Sequence, residues 1–443
     1  MSEDPIDNNI INHDEGNEVV MHVENQQAKS ILNIEKNEGG IHNTNIYNTI
    51  ERKEIKPANK YLCRNLIEAI QEYSPKVKNF LEMTIDDSER ANWETQDSYL
   101  NKAKDLLISS YASVLGDFLR KIIGSDKQRD YFGLSQAITK RTLQLLCFSF
   151  VSSLWDQPKE KVQQITPEQL KQLKKLFYTG VEPNISYYAD LFRTLVTIFG
   201  QLQLEYPFEE IKTMEDDLNG ENAFIGICKS IDAFRIKFGE NETMPSIDEI
   251  EKTLTSFLVT LNFLAAYKMV SVKDIGYESV RKNSIQFVHT YSLLGVNKTM
   301  EGDGQKYSYQ DTGKNTDAVL LIRDKYPDGL NLFPFIIDIN ALRDQRLVKI
   351  CFYAWNDEND KTLVYYDLNK IPFEDNDESD VTIEKNKELE EIENDLIAIY
   401  KSSDRDITGL KANDGEKYKK MKLFEVYNTF QDAKETFFGI ADS

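Results

Sequence analysis

Residues 143–155 read LQLLCFSFVSSLW, a stretch with apolar side chains on nearly every side of a helix. A helix of this kind is stable only where other elements surround it, because none of its faces suits contact with water. We therefore predict a central, buried helix at this position. The patterns before and after it predict which elements surround it.

Amphipathic helices are predicted on both sides of this stretch. One apolar face recurs at the helical period and comprises Leu107, Tyr111, Val114, Leu115, Phe118, Leu119 and Ile122. This helix is expected to end at Gly124. Capping boxes at Thr166–Gln169 and Ser246–Glu249 indicate the starts of two more helices. The pattern from residue 58 to about 272 therefore predicts successive helices, and we assign a helical domain to 58–300.

Short strand-like runs follow residue 300. They are rich in Val, Ile, Phe and Tyr and cover 318–322, 332–339, 348–355 and 362–368. The last two lie on either side of a short polar turn, which predicts an antiparallel hairpin. Residues 275–298 fit a strand as well as a further helix, and 301–316 are typical of a polar loop.

The predicted fold class is therefore α+β. It combines a disordered leader over 1–57, the helical domain over 58–300, and a small antiparallel sheet with covering helices over 301–443. The covering helices are expected at about 384–401 and 416–438. The acid-rich stretch 374–395 is expected to form a solvated loop and helix face.

The charge and the cysteines exclude several classes of function. A net charge of −21 over 443 residues disfavours binding to nucleic acids and to anionic membranes, because both carry negative phosphates. The four cysteines lie far apart beside apolar neighbours, which suits core residues in a reducing cytosol better than a zinc site or a disulfide framework. The sequence shows neither a bilayer-spanning stretch nor a signal peptide. We expect a cytoplasmic protein with no metal and no cofactor, which binds neither nucleic acid nor membrane.

Asp338 is the catalytic candidate that the sequence offers. It follows the apolar run Phe335–Ile337, and Lys349 lies on the next strand, an arrangement loosely similar to the core of a metal-dependent nuclease. Such cores add an acid two residues before the lysine, where this chain has Leu347. The alternative is that Asp338 caps its strand and accepts hydrogen bonds from backbone amides.

The leader contains a segment that is suited to strand pairing. Residues 30–50 read SILNIEKNEGGIHNTNIYNTI, with a β-prone piece on each side of Gly39–Gly40. Stacked Ile side chains and ladders of Asn stabilise contacts between strands of different chains. The residues expected to bind a partner are Ile31, Ile34, Ile41, Asn43, Ile46, Asn48 and Ile50. The alternatives are an unstructured linker and a strand of the protein's own sheet.

The same segment resembles leaders of bacterial signalling and antiviral conflict-system proteins, including those beside large signal-transducing NTPases. The resemblance covers the leader alone and implies homotypic contact between partner proteins. We expect a non-enzymatic interaction or regulatory protein that self-associates through 30–50. The alternatives are a hydrolase or metal-dependent nuclease that uses acids of the C-terminal sheet, and a substrate that a regulatory protease cuts at 301–316 or 370–385.

Overall fold

The computed structural model of the chain describes residues 59–83, 97–214, 218, 224–239, 245–278, 286–294, 305–309, 318–323, 329–339, 349–356, 362–368, 380–384 and 415–439. All of these residues belong to the unit Ile55–Ser443. The leader, with its partner-binding candidates over 30–50, lies outside the described residues.

The first part of the described chain is helical. Its helices are α1 (Lys60–Ala69), α2 (Pro75–Met83), α3 (Asp97–Ser110), α4 (Ser113–Ile123), α5 (Gln128–Trp155), α6 (Lys159–Val162), α7 (Pro167–Phe177), α8 (Ile185–Leu202), α9 (Phe224–Gly239) and α10 (Ile247–Thr260), with 3-10 turns at Glu209–Met214 and Asn262–Ala266. The capping box at Thr166 is confirmed, because Thr166 and Gln169 each accept a hydrogen bond from the other's backbone N–H. Ser246 likewise accepts from the backbone N–H of Glu249.

Helix α5 is the centre of the helical layer, as its composition predicts. Its residues are buried almost without interruption from Tyr131 to Leu154, and α4, α8, α9 and α10 all pack against it. The hydroxyl groups of Ser135, Thr142 and Ser149 donate to carbonyl oxygens four residues earlier in the same helix, each at 2.7 Å. These polar side chains can therefore lie at this depth without losing a hydrogen bond.

Two antiparallel sheets follow the helices. Their strands are β1 (Lys268–Glu278), β2 (Gln286–Leu294), β3 (Gln305–Tyr309), β4 (Val319–Ile322), β5 (Leu330–Asn331), β6 (Ile336–Asp338), β7 (Ile350–Asn356), β8 (Thr362–Asp367) and β9 (Asp380–Glu384). The first sheet has the order β3-β2-β1-β4-β5, and the second has the order β6-β7-β8-β9. The hairpin of β7 and β8 is confirmed, and so is the last helix, α11 (Gly415–Phe438). The fold class is α+β, as predicted.

The boundary between helices and sheet lies earlier than the sequence predicts. Helical structure ends at Ala266 and β1 begins at Lys268, so the division at residue 300 is wrong. Strand β1 is the central strand of its sheet, and its residues from Met269 to Lys273 are buried on both faces. A strand buried on both faces has no alternation of apolar and polar residues, so its sequence cannot be told from a buried helix. The ambiguous segment 275–298 contributes strand β2.

The long helix expected over residues 107–122 is two helices, α3 and α4, which meet at Tyr111 and Ala112. The hydroxyl groups of Ser109 and Ser110 both donate to the carbonyl oxygen of Leu106, at 3.2 and 2.8 Å. The chain leaves the helical conformation at Ala112, where φ is −57° and ψ is 154°. The predicted apolar face is nevertheless buried on both helices.

Three further expectations change in detail. The loop expected over 301–316 contains strand β3, and the acid-rich stretch 374–395 contains strand β9. The run 332–339 is a strand only at Ile336–Asp338, because the residues before it form a turn. Beyond Glu384, which ends β9, the helix expected at 384–401 lies outside the described residues.

An aromatic cluster joins the helical layer to the second sheet. The ring of Phe148 on α5 stacks on Phe335 at 5.5 Å between ring centres. The ring of Tyr353 on β7 lies 4.6 Å from Phe430 on α11, and its hydroxyl donates to the carbonyl oxygen of Leu176. Contacts of this kind bury large apolar surfaces and give one sheet face and three helices a common core.

Candidate functional site at the junction of the sheets

Asp338 lies at the end of β6, where the sequence predicts a carboxylate after an apolar strand. Ile336 and Ile337 are buried side chains that hold β6 in the core, and Asp338 pairs with Ile350 in the antiparallel register of β6 and β7. The side chain of Asp338 is itself completely buried. The carboxylate is therefore held in the interior, away from any solvent-filled cleft.

Both oxygens of this carboxylate accept hydrogen bonds. Ser271 Oγ donates to Oδ2 at 2.8 Å, and Lys273 Nζ donates to the same oxygen at 2.6 Å. The backbone N–H of Lys349 donates to Oδ1 at 2.9 Å. The expected strand cap by a backbone amide is thus present, and the side chains of Ser271 and Lys273, which the sequence did not predict here, also contact the carboxylate.

Ser271 and Lys273 reach Asp338 from the other sheet. They lie two residues apart on β1, and both side chains donate to the same oxygen of Asp338. The isolated bridge between Ala318 and Ile337 brings the two sheets together beside them. Asp338 therefore joins the first sheet to the second through charged and polar contacts.

The electrostatics of the site favour a structural role for the carboxylate. A buried charge is strongly unfavourable unless a counter-charge and hydrogen bonds compensate for the lost water. Here Lys273, whose side chain is only 8% exposed, supplies the charge. Ser271 and the Lys349 amide also donate hydrogen bonds to the carboxylate. This arrangement can hold two sheets in register, but it presents no oxygen to a solvent-borne substrate.

Lys349 contributes only its backbone to this site. Its ammonium group forms an ion pair with Asp367 on β8, with 3.6 Å between Nζ and Oδ2. The nuclease-like pairing of Asp338 with the Lys349 side chain is therefore not formed. The lysine that reaches Asp338 is Lys273, and the residue two positions before it is Ser271 instead of an acid.

Cysteine chemistry is disfavoured near this site and elsewhere. Cys351 on β7 is buried, and the loss of hydration raises the pKa of its thiol to about 12. Burial likewise raises the pKa of Cys63 to about 12 and moves the pKa values of Cys147 and Cys228 upward. A thiol with such a pKa stays protonated near neutral pH and is a poor nucleophile. All four are free, buried cysteines, as the apolar neighbours of each predict.

A second buried polar site lies at the start of α1. Glu251 on α10 accepts a hydrogen bond from the backbone N–H of Leu62 at 3.0 Å, which occupies a free donor of the first helical turn. Burial, the largest influence, raises the pKa of Glu251 to about 7, and the hydrogen bond from Leu62 opposes that rise. Asn59 anchors the same helix end, because its Nδ2 donates to the carbonyl oxygens of Ile123 and Ser125.

Within the part of the chain that the structure describes, no group of three His, Cys, Asp or Glu side chains is placed to hold a metal ion. Across the same ranges, no helix combines the length and the apolar character needed to cross a bilayer. Comparison of the chain with protein-family models, with curated proteins and with solved structures finds no match.

Proposed function

We propose that this protein is a non-enzymatic interaction or regulatory component that binds other proteins. The observation that carries the proposal is the state of Asp338. The residue with the strongest case for catalysis is completely buried, and both of its oxygens are engaged in joining the two sheets. This burial and these bonds support a structural role for Asp338, and the leader is the segment best suited to contact a partner.

The leader supplies the proposed means of association. Residues 30–50 combine β-prone Ile and Asn residues on both sides of Gly39–Gly40, and such segments pair through backbone hydrogen bonds with strands of another chain. The proposed contacts are the Ile and Asn side chains between Ile31 and Ile50. The resemblance of this leader favours a bacterial signalling or antiviral defence system as the setting. Four buried, free cysteines support a cytoplasmic location.

The association is tested on the full chain with a double variant, Ile46→Asp and Ile50→Asp. The carboxylates would repel one another in a stacked array, so we expect weaker self-association by light scattering across a concentration series. The matched control places the same charges elsewhere in the leader, at Asn8 and Asn9. Equal association of the wild type and the Ile46/Ile50 variant would remove the leader as the binding segment, and a lowered melting temperature would make it an internal strand.

The nuclease alternative is tested separately. Wild-type protein and the Asp338→Asn variant are incubated with DNA and with RNA in the presence of Mg²⁺ or Mn²⁺. The proposal expects no cleavage by either protein. Cleavage by the wild type that is lost in a folded Asp338→Asn variant would overturn the non-enzymatic role.

A further inference from the structure

A groove with a positively charged rim lies between α7 and α11. It has a volume of about 380 Å³, and its walls carry Leu170, Lys171 and Lys174 from α7 and Lys434, Glu435 and Phe438 from α11. Tyr178, which follows α7 directly, lies against the same space. We name this feature the Tyr178 groove.

The floor of the Tyr178 groove is apolar and firmly packed. The ring of Phe438 meets Tyr178 edge to face at 5.7 Å between ring centres, and it packs on Phe177 at 5.5 Å. Helix α11 is fixed to the central helix by a hydrogen bond from Trp155 Nε1 to Thr436 Oγ1 at 3.2 Å. The groove is thus formed by packed helices, and a ligand does not have to order it.

An exposed apolar side chain, that of Tyr178, lines the groove, and a second one, that of Val181, follows closely in the sequence. Tyr178 is 45% exposed and Val181, three residues later, is 71% exposed. In the described residues only two other large apolar side chains, Tyr61 and Leu293, reach comparable exposure. Apolar surface next to a groove is a common property of protein-binding sites.

The charge on the rim is opposite to that of the molecule. Lys171 and Lys174 are exposed and lie one turn apart on α7, and the ammonium group of Lys174 lies 5.3 Å from the centre of the Tyr178 ring. The ammonium group of Lys434 lies 3.8 Å from the same centre, but this side chain is buried. Among the described residues of the wall, Glu435 is the only acid, and neither Lys171 nor Lys174 forms an ion pair. Two exposed lysines against one acid give a positive rim on a chain whose net charge is −21.

We propose that the Tyr178 groove binds an acidic segment of a partner protein, with an aliphatic or aromatic side chain flanked by carboxylates. The apolar side chain would lie on Leu170, Tyr178 and Phe438, and the carboxylates would pair with the exposed Lys171 and Lys174. A nucleic acid fits less well, because the net negative charge of the whole chain repels phosphates and the floor is apolar. This inference rests on the proposed function, that the chain binds protein, but it uses a surface separate from the leader.

The test uses the full chain and a fluorescent synthetic peptide of sequence Glu-Glu-Phe-Asp-Glu-Leu-Ile-Glu-Asp-Leu. The neutral control peptide has Gln for every Glu and Asn for every Asp. Fluorescence anisotropy is expected to show binding of the acidic peptide that weakens at high salt, and at least about tenfold weaker binding of the neutral peptide. Failure of the acidic peptide to bind, or equal binding of both peptides, would overturn the proposal.

Variants then assign the binding to the groove. The double variant Lys171→Glu and Lys174→Glu is expected to weaken binding about tenfold or more, because two attractive charges become repulsive. Lys175→Glu is the matched control, since Lys175 is an exposed residue of the same helix that does not line the groove. Tyr178→Ala should weaken binding at high salt as well, because it removes apolar contact. Equal effects of the Lys175 and Lys171/Lys174 changes would place the peptide elsewhere.

The same assay tests other possible ligands of the groove, and it shows whether the leader takes part in peptide binding. A single-stranded oligonucleotide that displaces the peptide more strongly than unlabelled peptide would identify nucleic acid as the ligand. Peptide binding that appears only after Glu388, Glu390, Glu391 and Glu393 are changed to Gln would identify the chain's own acidic stretch as the ligand of the groove. That result would also overturn the proposal. The Ile46/Ile50 variant should bind the peptide like the wild type. Unchanged self-association of this variant, together with intact peptide binding, would therefore count against the leader alone.

Discussion

The buried pair of Lys273 and Asp338 allows a quantitative prediction. Changing Lys273 to Met removes the counter-charge of a completely buried carboxylate that also accepts hydrogen bonds from Ser271 Oγ and the Lys349 amide. Removing one partner of a buried ion pair costs about 3–5 kcal/mol. We expect a loss of this size in the free energy of unfolding, measured by urea denaturation of the full chain with circular dichroism.

Two further variants separate the contribution of the Lys273–Asp338 ion pair to stability from other effects of the substitutions. Lys349→Met breaks the partly exposed ion pair with Asp367 and should cost about 0–1 kcal/mol. The double variant Lys273→Met and Asp338→Asn removes both charges, and it should be less destabilised than the sum of its single variants by about 2 kcal/mol or more. A cost for Lys273→Met no larger than that for Lys349→Met, or additive effects in the double variant, would refute the view that this pair holds the sheets together.

Three other changes test the packing and the polar contacts of the body. The pKa of Glu251 lies at about 7 in the folded protein against an ordinary 4.5, so the folded state holds a proton that the unfolded state loses. The free energy of unfolding should therefore fall as the pH rises from about 4.5 to about 7, and it should level off above 7. Glu251→Gln should remove about 1–2 kcal/mol of this pH dependence, measured by urea titrations along a pH series. Phe148→Ala removes a buried ring that stacks on Phe335 and should cost about 3–5 kcal/mol, with no effect expected on binding of the acidic peptide. Thr166→Ala removes the cap of α7 and should cost about 1 kcal/mol, whereas Thr166→Ser should be nearly neutral; equal losses for the two variants would contradict the capping role.

Local patterns alone were sufficient for several elements. The apolar side chains on nearly every side of residues 143–155 predict a central helix, and α5 is buried as expected. The capping box at Thr166 and the hairpin of β7 and β8 are predicted from residues that lie close together in the sequence. Each of these features depends on propensities and hydrogen bonds within a few residues, so a single sequence contains the information.

The break between α3 and α4 shows a weaker local signal. The apolar face continues through Tyr111 without interruption, and the face is buried in both helices. The chain leaves the helical conformation at Ala112, where φ is −57° and ψ is 154°. Residues 109–113 contain neither the proline nor the glycine that usually indicates such a break.

The sequence by itself determined the α+β class, the central helix and the presence of an acid at the end of β6. Only the tertiary structure decided what that acid does, because its partners come from positions far away in the chain. Ser271 and Lys273 lie on β1 and Asp338 lies on β6, and their meeting depends on how two sheets pack. Short-range patterns specify the elements, whereas contacts between distant elements arise from the burial of their shared faces. The same reason explains why the Tyr178 groove, formed by α7 and α11, has no signature in either helix alone.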